Sequence, residues 1–242
     1  MLQSSGSALF KGGELPNTNG IIRIISAHSS AYLVPVDAGK TQYLLIDAGM
    51  DKKASGIKKE LQLMGLDESA VKAIFLTHGH RDHIGGIRQF PNIPIYVGVP
   101  DDGYVAGQSP SDGFVGKLIG KQPSVAVADP GQLVLIQDDQ SIRVGDIVVE
   151  ALSVPGHTRG SLVFVVEKNL FVGDAAAFDV TGKVFDAPKV FSHDIPQSRR
   201  SIAKLVSKFD DDGRVISRVI PSHSDIGSFA ALRSDVTKVA SQ

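Results

Sequence analysis

Between residues 77 and 86 the chain reads Thr-His-Gly-His-Arg-Asp-His-Ile-Gly-Gly, which sets His78, His80, Asp82 and His83 within six positions. Imidazole nitrogen and carboxylate oxygen are the ligands that borderline cations such as Zn²⁺ take where thiolates are absent, and this chain has no cysteine. His78 and His80, two apart on extended chain leaving a strand, project to one side and can grip one ion. Asp82 and His83 fall where the chain turns into a helix and can reach a second ion beside the first. Two ions need further ligands. His157 lies in Pro-Gly-His-Thr-Arg-Gly-Ser after an apolar run ending at Val154, Asp174 ends Phe-Val-Gly-Asp, and His223 follows Ile-Pro-Ser. Five of the seven histidines thus sit at strand ends, where enzyme sites on α/β scaffolds gather. The other two are read as structural: His28 as a loop residue and His193 as a residue just ahead of a helix. Asp210-Asp211-Asp212-Gly213 lacks the later acidic ligands of a calcium loop and reads as a solvated turn. Lys11-Gly12-Gly13 completes no phosphate-binding loop.

The elements that must carry these residues follow from apolar patterning. Branched and aromatic runs predict strands at Ile21–Ser26, Tyr32–Val36 and Tyr43–Ile46, with a turn at Asp37-Ala38-Gly39-Lys40. Ile57, Leu61 and Met64 recur at helical spacing, and Gly65 marks a stop. Further strands are expected at Val71–Leu76, Ile95–Val97, Leu133–Ile136, Ile147–Val154, Leu162–Val166, Leu170–Val172 and Val215–Ile220, with helices at Ser198–Phe209 and Phe229–Val239. Strands that first meander and then alternate with helices imply an α/β domain of two sheets with helices on their outer faces. Residues 1–19 read as a polar tail and 20–242 as one domain. An irregular stretch at 101–130, with five Gly and three Pro, is either a lid or a surface insertion.

Composition narrows the function classes. The chain has 242 residues with 25 basic and 26 acidic side chains, a net charge of −1, and 42% apolar residues. That length supports a core without covalent staples, and the missing cysteines exclude disulfide frameworks, iron–sulfur clusters and thiol nucleophiles. No basic stripe suits nucleic acid, and no apolar run approaches a membrane span. The expected partner is therefore a small-molecule substrate. The N-terminus shows neither a cationic start nor an apolar stretch, so the expectation is cytoplasmic, or periplasmic or secreted if a leader has been removed.

The series His78-x-His80-x-Asp82-His83, Gly-His157-Thr, Gly-Asp174 and Ser-His223 resembles, in order and spacing, that of the metallo-β-lactamase superfamily, from about residue 21 to the C-terminus. The resemblance implies a four-layer αβ/βα sandwich of two mixed sheets with helices outside, and metals between the sheet edges. It implies that His78, His80 and His157 hold a first metal and that Asp82, His83 and His223 hold a second. Asp174 would bridge the two, and Asp47 would orient a ligand histidine. It further implies two Zn²⁺ (Fe, Mn or a mixed pair being the alternatives) and a hydrolase that cleaves an ester, thioester, lactone or amide. Asp82 would then accept a proton from the nucleophile. The bridging Asp174 is similar to the glyoxalase II-like and lactonase-like branches, although Ala177 stands where acyl-homoserine lactonases usually carry tyrosine. Two other readings share the fold: a β-lactamase, and a persulfide dioxygenase-like oxidoreductase with one iron on His78, His157 and Asp174. The substrate-binding residues are unassigned.

Overall fold

Apolar residues occupy both faces of the central strands, so each sheet needs cover on two sides. The computed structural model describes residues 11–107, 128–187 and 189–240. The first sheet runs in chain order through β1 (Gly13–Glu14), β2 (Ile22–Ser26), β3 (Ser29–Pro35) and β4 (Tyr43–Ile46). After helix α1 (Ser55–Leu63) it continues with β5 (Val71–Phe75), short helix α2 (Arg81–Ile84), β6 (Ile95–Gly98), short helix α3 (Asp102–Val105) and β7 (Leu133–Ile136). Pairing is antiparallel from β1 to β4 and parallel from β4 to β7.

The second sheet comprises β8 (Gln140–Val144), β9 (Ile147–Ser153), β10 (Leu162–Val166), β11 (Asn169–Gly173) and, after later elements, β14 (Arg218–Pro221). Its pairs are antiparallel except β11 with β14, which run parallel. Between them lie the small hairpin of β12 (Ala177–Phe178) and β13 (Val184–Phe185) and helix α4 (Ile195–Asp211); α5 (Phe229–Ala240) closes the described chain.

Period-two alternation divides the core into three. Tyr32, Leu44 and Phe75 of the first sheet face Phe164 and Phe171 of the second, with the Phe75 ring edge-on to Phe164 at 5.3 Å between centroids. Leu33, Leu45 and Ile74 point the other way and meet Ile57 and Leu61 of α1. Val163, Val165 and Leu170 meet Ile202, Leu205 and Phe209 of α4 and Phe229 of α5. Helix, sheet, sheet, helix is the expected four-layer order. Among the described residues, no helix is long and apolar enough to cross a membrane.

Several boundaries differ from the sequence expectation. Helix α4 starts at Ile195 rather than near Ser198, because Asp194 accepts the Gln197 N–H and Pro196 suits the first turn. The strand expected from Val215 begins only at Arg218; Val215 is 65% exposed. Strand β8 was not expected, since Gln-Ser-Ile-Arg-Val is half polar, as an edge strand can be. Gly13–Glu14 pairs with β2, and Leu15 is buried, within the stretch read as a tail. Of the irregular stretch 101–130, residues 101–107 carry α3, whereas 108–127 lie outside the described residues. The choice between lid and insertion falls there.

Truncating Phe164 to alanine removes the ring that joins the two sheets. Phe164→Ala is expected to lower unfolding free energy by about 3–5 kcal/mol, read as a reduced urea midpoint with an unchanged slope.

Candidate metal centre

Parallel pairing delivers strand ends to one edge, and the candidate residues leave from those ends. Asp47 follows β4, His78 and His80 follow β5, and Asp82 and His83 sit in α2, the helix that this loop turns into. From the second sheet, His157 follows β9, Asp174 follows β11 and His223 follows β14. Leu162 N–H donates to Thr77 O at 2.8 Å and so joins the two sheets beside the site.

Seven of these residues, all but Asp47, turn their donor atoms toward one another. His78 Nε2, His80 Nδ1 and His157 Nε2 form a triangle with edges of 3.0, 3.0 and 3.2 Å. Asp82 Oδ2, His83 Nε2 and His223 Nε2 form a second, with edges of 3.1, 3.3 and 3.5 Å. Asp174 stands between them, its Oδ2 3.5 Å from His157 Nε2 and 3.2 Å from His223 Nε2, and its Oδ1 3.5 Å from His83 Nε2. Asp174 thus lies within reach of both triangles.

Atoms of like character converge here, and their outer partners show why. The Thr77 hydroxyl spends its proton on Asp47, so it can only accept from His78 Nδ1–H, at 3.1 Å. His83 Nδ1–H donates to Asp47 Oδ2 at 2.8 Å and His223 Nδ1–H to His28 O at 2.7 Å. Each bond turns an Nε2 inward and fixes the tautomer that a metal ligand needs. His157 Nδ1 meets Ser192 Oγ at 3.1 Å. His80 instead presents Nδ1 inward.

The residues fit a cation on three grounds. The donor set is imidazole and carboxylate, as borderline ions prefer. Ligands about 2.0–2.1 Å from a tetrahedral centre lie about 3.3–3.4 Å apart, close to the edges of both triangles. Finally, Asp174 Oδ1 is buried and accepts no hydrogen bond from the described residues, which is costly for a carboxylate oxygen unless a charge faces it.

Electrostatics divides the two triangles. Burial, reinforced by the neighbouring imidazoles, holds His78 well below the usual histidine range. Burial also takes His157 down to about 3, although Asp174 opposes it. Burial acts the same way on His83 and His223, but the carboxylates outweigh it and hold both toward the protonated form. Asp174 and Asp82 stay ionised, below the usual carboxylate range, because those imidazoles outweigh their burial. Access differs too: in the first triangle His78 and His157 are 1% and 2% exposed and His80 is partly buried, whereas in the second His83 is fully buried but Asp82 and His223 are 29% and 32% exposed.

Sequence reasoning missed the supports. Asp47, at a positive φ of 55° and 1% exposed, receives Thr77 N–H, Thr77 O–H, His83 and the Ser222 hydroxyl, a wider role than orienting one histidine. Arg23, buried at 3%, donates to Ser30 Oγ and Ser224 O, and Tyr32 O–H donates to Pro221 O. A lone arginine inside Ile-Arg-Ile-Ile was the available signal. His28 serves through its backbone carbonyl. Ahead of α4 the cap is Asp194, while His193 gives its backbone N–H to His157 O and accepts from Arg159 Nε at 3.1 Å.

A family model described as the metallo-beta-lactamase superfamily matches residues 27–226. The chain is 26% identical over 237 residues to a probable metallo-hydrolase, YflN, of Bacillus subtilis, covering 88% of this chain and 87% of that one. It is 25% identical over 177 residues to a hydroxyacylglutathione hydrolase of Nostoc, covering 69% of this chain and 57% of that enzyme, so it spans little more than half of this relative's length. In structure it is similar to an archaeal metallo-beta-lactamase superfamily protein from Sulfolobus tokodaii, with a TM-score of 0.66, 19% identity and coverage of 92% and 87%. It is also similar to the BLEG-1 B3 metallo-beta-lactamase, with a TM-score of 0.67, 22% identity and coverage of 87% and 95%.

Asp47→Asn turns an acceptor into a donor opposite Thr77 or His83. Second-sphere losses of this kind weaken metal affinity roughly 10–100-fold. With zinc loaded as the probe ion, the expected result is release at correspondingly lower chelator concentration in a competition titration, with an unchanged far-ultraviolet spectrum.

Proposed function

The chain belongs to the metallo-beta-lactamase superfamily, and from that premise we propose that it is a two-metal hydrolase acting on an ester, thioester, lactone or amide bond of a small molecule. The observation that carries this reading is the pair of three-ligand triangles with Asp174 between them. His78, His80 and His157 would hold one ion and Asp82, His83 and His223 the other, with Asp174 shared. Zinc suits the all-nitrogen triangle best, while carboxylate-containing sites also admit iron or manganese. Two cations held there would supply hydroxide near neutral pH and Lewis acidity toward the scissile carbonyl.

The protein's own groups divide the remaining work. The open triangle, with Asp82 and His223 partly exposed, is the side on which substrate enters. Asp82 is ionised and faces that opening, so its carboxylate is placed to take the proton of an attacking water and return it to the leaving group. Asp47, Thr77 and His28 O keep the imidazoles in the ligating tautomer throughout. The relatives named hydroxyacylglutathione hydrolase support acyl-bond cleavage as the reaction class. Their substrate is not carried over to a chain that spans so much less than their length. A one-iron reading on His78, His157 and Asp174 leaves Asp82, His83 and His223 without a task.

Elemental analysis of protein purified without chelator is expected to find close to two zinc per chain; about one iron and no second metal would overturn the proposal. Asp82→Ala is expected to bring the content toward one ion and to cut kcat/KM on a responsive ester or thioester by at least about 100-fold. Its circular dichroism should match the parent. Full activity in that variant removes Asp82 from the mechanism.

A further inference from the structure

Asp101 belongs to no ligand set, yet its carboxylate ties together the loops that carry the first triangle. It is fully buried and sits just ahead of α3. Its Oδ2 accepts Gly79 N–H at 2.8 Å and the Thr158 hydroxyl at 2.7 Å, and its Oδ1 accepts Gly160 N–H at 3.0 Å. Gly79 lies between His78 and His80, and Thr158 follows His157. One side chain therefore ties together the chain segments that carry all three residues of the first triangle, which come from opposite sheets.

The network runs in one direction. Because Thr158 gives its proton to Asp101, the Ser161 hydroxyl must donate to Thr158 Oγ1, at 2.7 Å, while it accepts Thr158 N–H at 2.9 Å. Space around the carboxylate is closed too. A Cβ on Gly160 would stand 2.8 Å from Asp101 Cγ, one on Gly98 2.1 Å from Gly160 O, and one on Gly79 2.7 Å from the Tyr104 ring. Asparagine would put an amide NH2 against donors at one of the two positions, and glutamate is one methylene too long for the gap.

The second triangle has other supports: the Ser29 hydroxyl on Asp82 O, His28 O on His223, and Arg23 and Tyr32 on the His223 loop. We propose that Asp101 is the positioning residue of the first triangle alone, holding His78, His80 and His157 in ligating geometry without touching an ion. The proposal rests on the two-ion reading above.

The test is zinc content in a chelator buffer set so that the parent protein keeps both ions. Asp101→Ala is expected to weaken one site roughly 10–100-fold and leave one ion per chain. Adding His223→Ala to it should leave none, whereas adding His157→Ala should change nothing further. Thr158→Val, which removes the hydroxyl, should shift the same site in the same direction, and Thr158→Ser, which keeps it, should restore parental affinity. A merely structural role would lower the unfolding midpoint while both ions were kept or lost together, as expected for Phe164→Ala. Parallel loss of both ions, or two ions at parental affinity in Asp101→Ala, overturns the assignment. Should Asp101→Ala fail to fold, Thr158→Val decides, and an unshifted first site there overturns it. A parent protein holding fewer than two ions overturns the two-ion reading and this assignment together.

Discussion

Five imidazoles and two carboxylates are held with their lone pairs turned toward one another, and that arrangement resists assembly. The nitrogens of each triangle lie 3.0–3.3 Å apart, and Asp82 and Asp174 bring two negative charges to the same edge. Without a cation the carboxylates recruit protons onto His83 and His223 instead. On the two-ion proposal, an ion held there would displace those protons, so its affinity would weaken as pH falls. The scaffold has to impose the convergence, because the groups themselves do not favour it. Asp47 carries much of that burden, since one buried carboxylate reaches the β5 loop, α2 and the β14 loop through Thr77, His83 and Ser222. Its own burial is tolerable because several donors satisfy it.

The sandwich supplies the coarse placement. Parallel pairing of β4 with β5 brings Asp47 and Thr77 out at one edge, and parallel pairing of β11 with β14 does the same for Asp174 and Ser222. Ser222 N–H then donates to Gly173 O, and Gly173, at a φ of 55°, leaves only 2.5 Å between a notional Cβ and Thr77 Oγ1. A side chain there would part the two sheets where their ligands meet. The aromatic contacts between Phe75 and Phe164 set the distance between the layers behind the site, so core packing and site geometry are linked.

How far the sequence could be read depended on the kind of signal each element carries. The residues that converge were legible because His78, His80, Asp82 and His83 are close in sequence and chemically unusual, and because His157, Asp174 and His223 each follow an apolar strand. Buried strands such as Tyr43–Ile46 and Leu162–Val166 were legible from unbroken apolar runs. Strand β8 was hidden because Gln140 and Ser141 are exposed and only pairing with β9 orders them. The false start at Val215 came from apolar character without burial. The supports were illegible for a different reason: Asp101 reaches Thr158 across 57 positions, and Arg23 reaches Ser224 across 201. No local pattern encodes partners so far apart.

The supports also divide the site into unequal halves. The first triangle is the more enclosed: its side chains from His78 and His157 are almost fully buried and that of His80 partly so, its loops are knitted to Asp101, and Gly160 leaves no room for a Cβ beside that carboxylate. The second is held by the turn of the β2–β3 hairpin, through Ser29 and His28 O, and by Arg23 behind it. Its Asp82 and His223 remain open to solvent. On the two-ion proposal, the more enclosed triangle would strengthen electrostatic interactions and slow exchange of its ion, whereas the more open one would let substrate and water in. Asp174 lies between the two and answers to both. Its Oδ1, which accepts no hydrogen bond from the described residues, is the oxygen that a cation held there would satisfy.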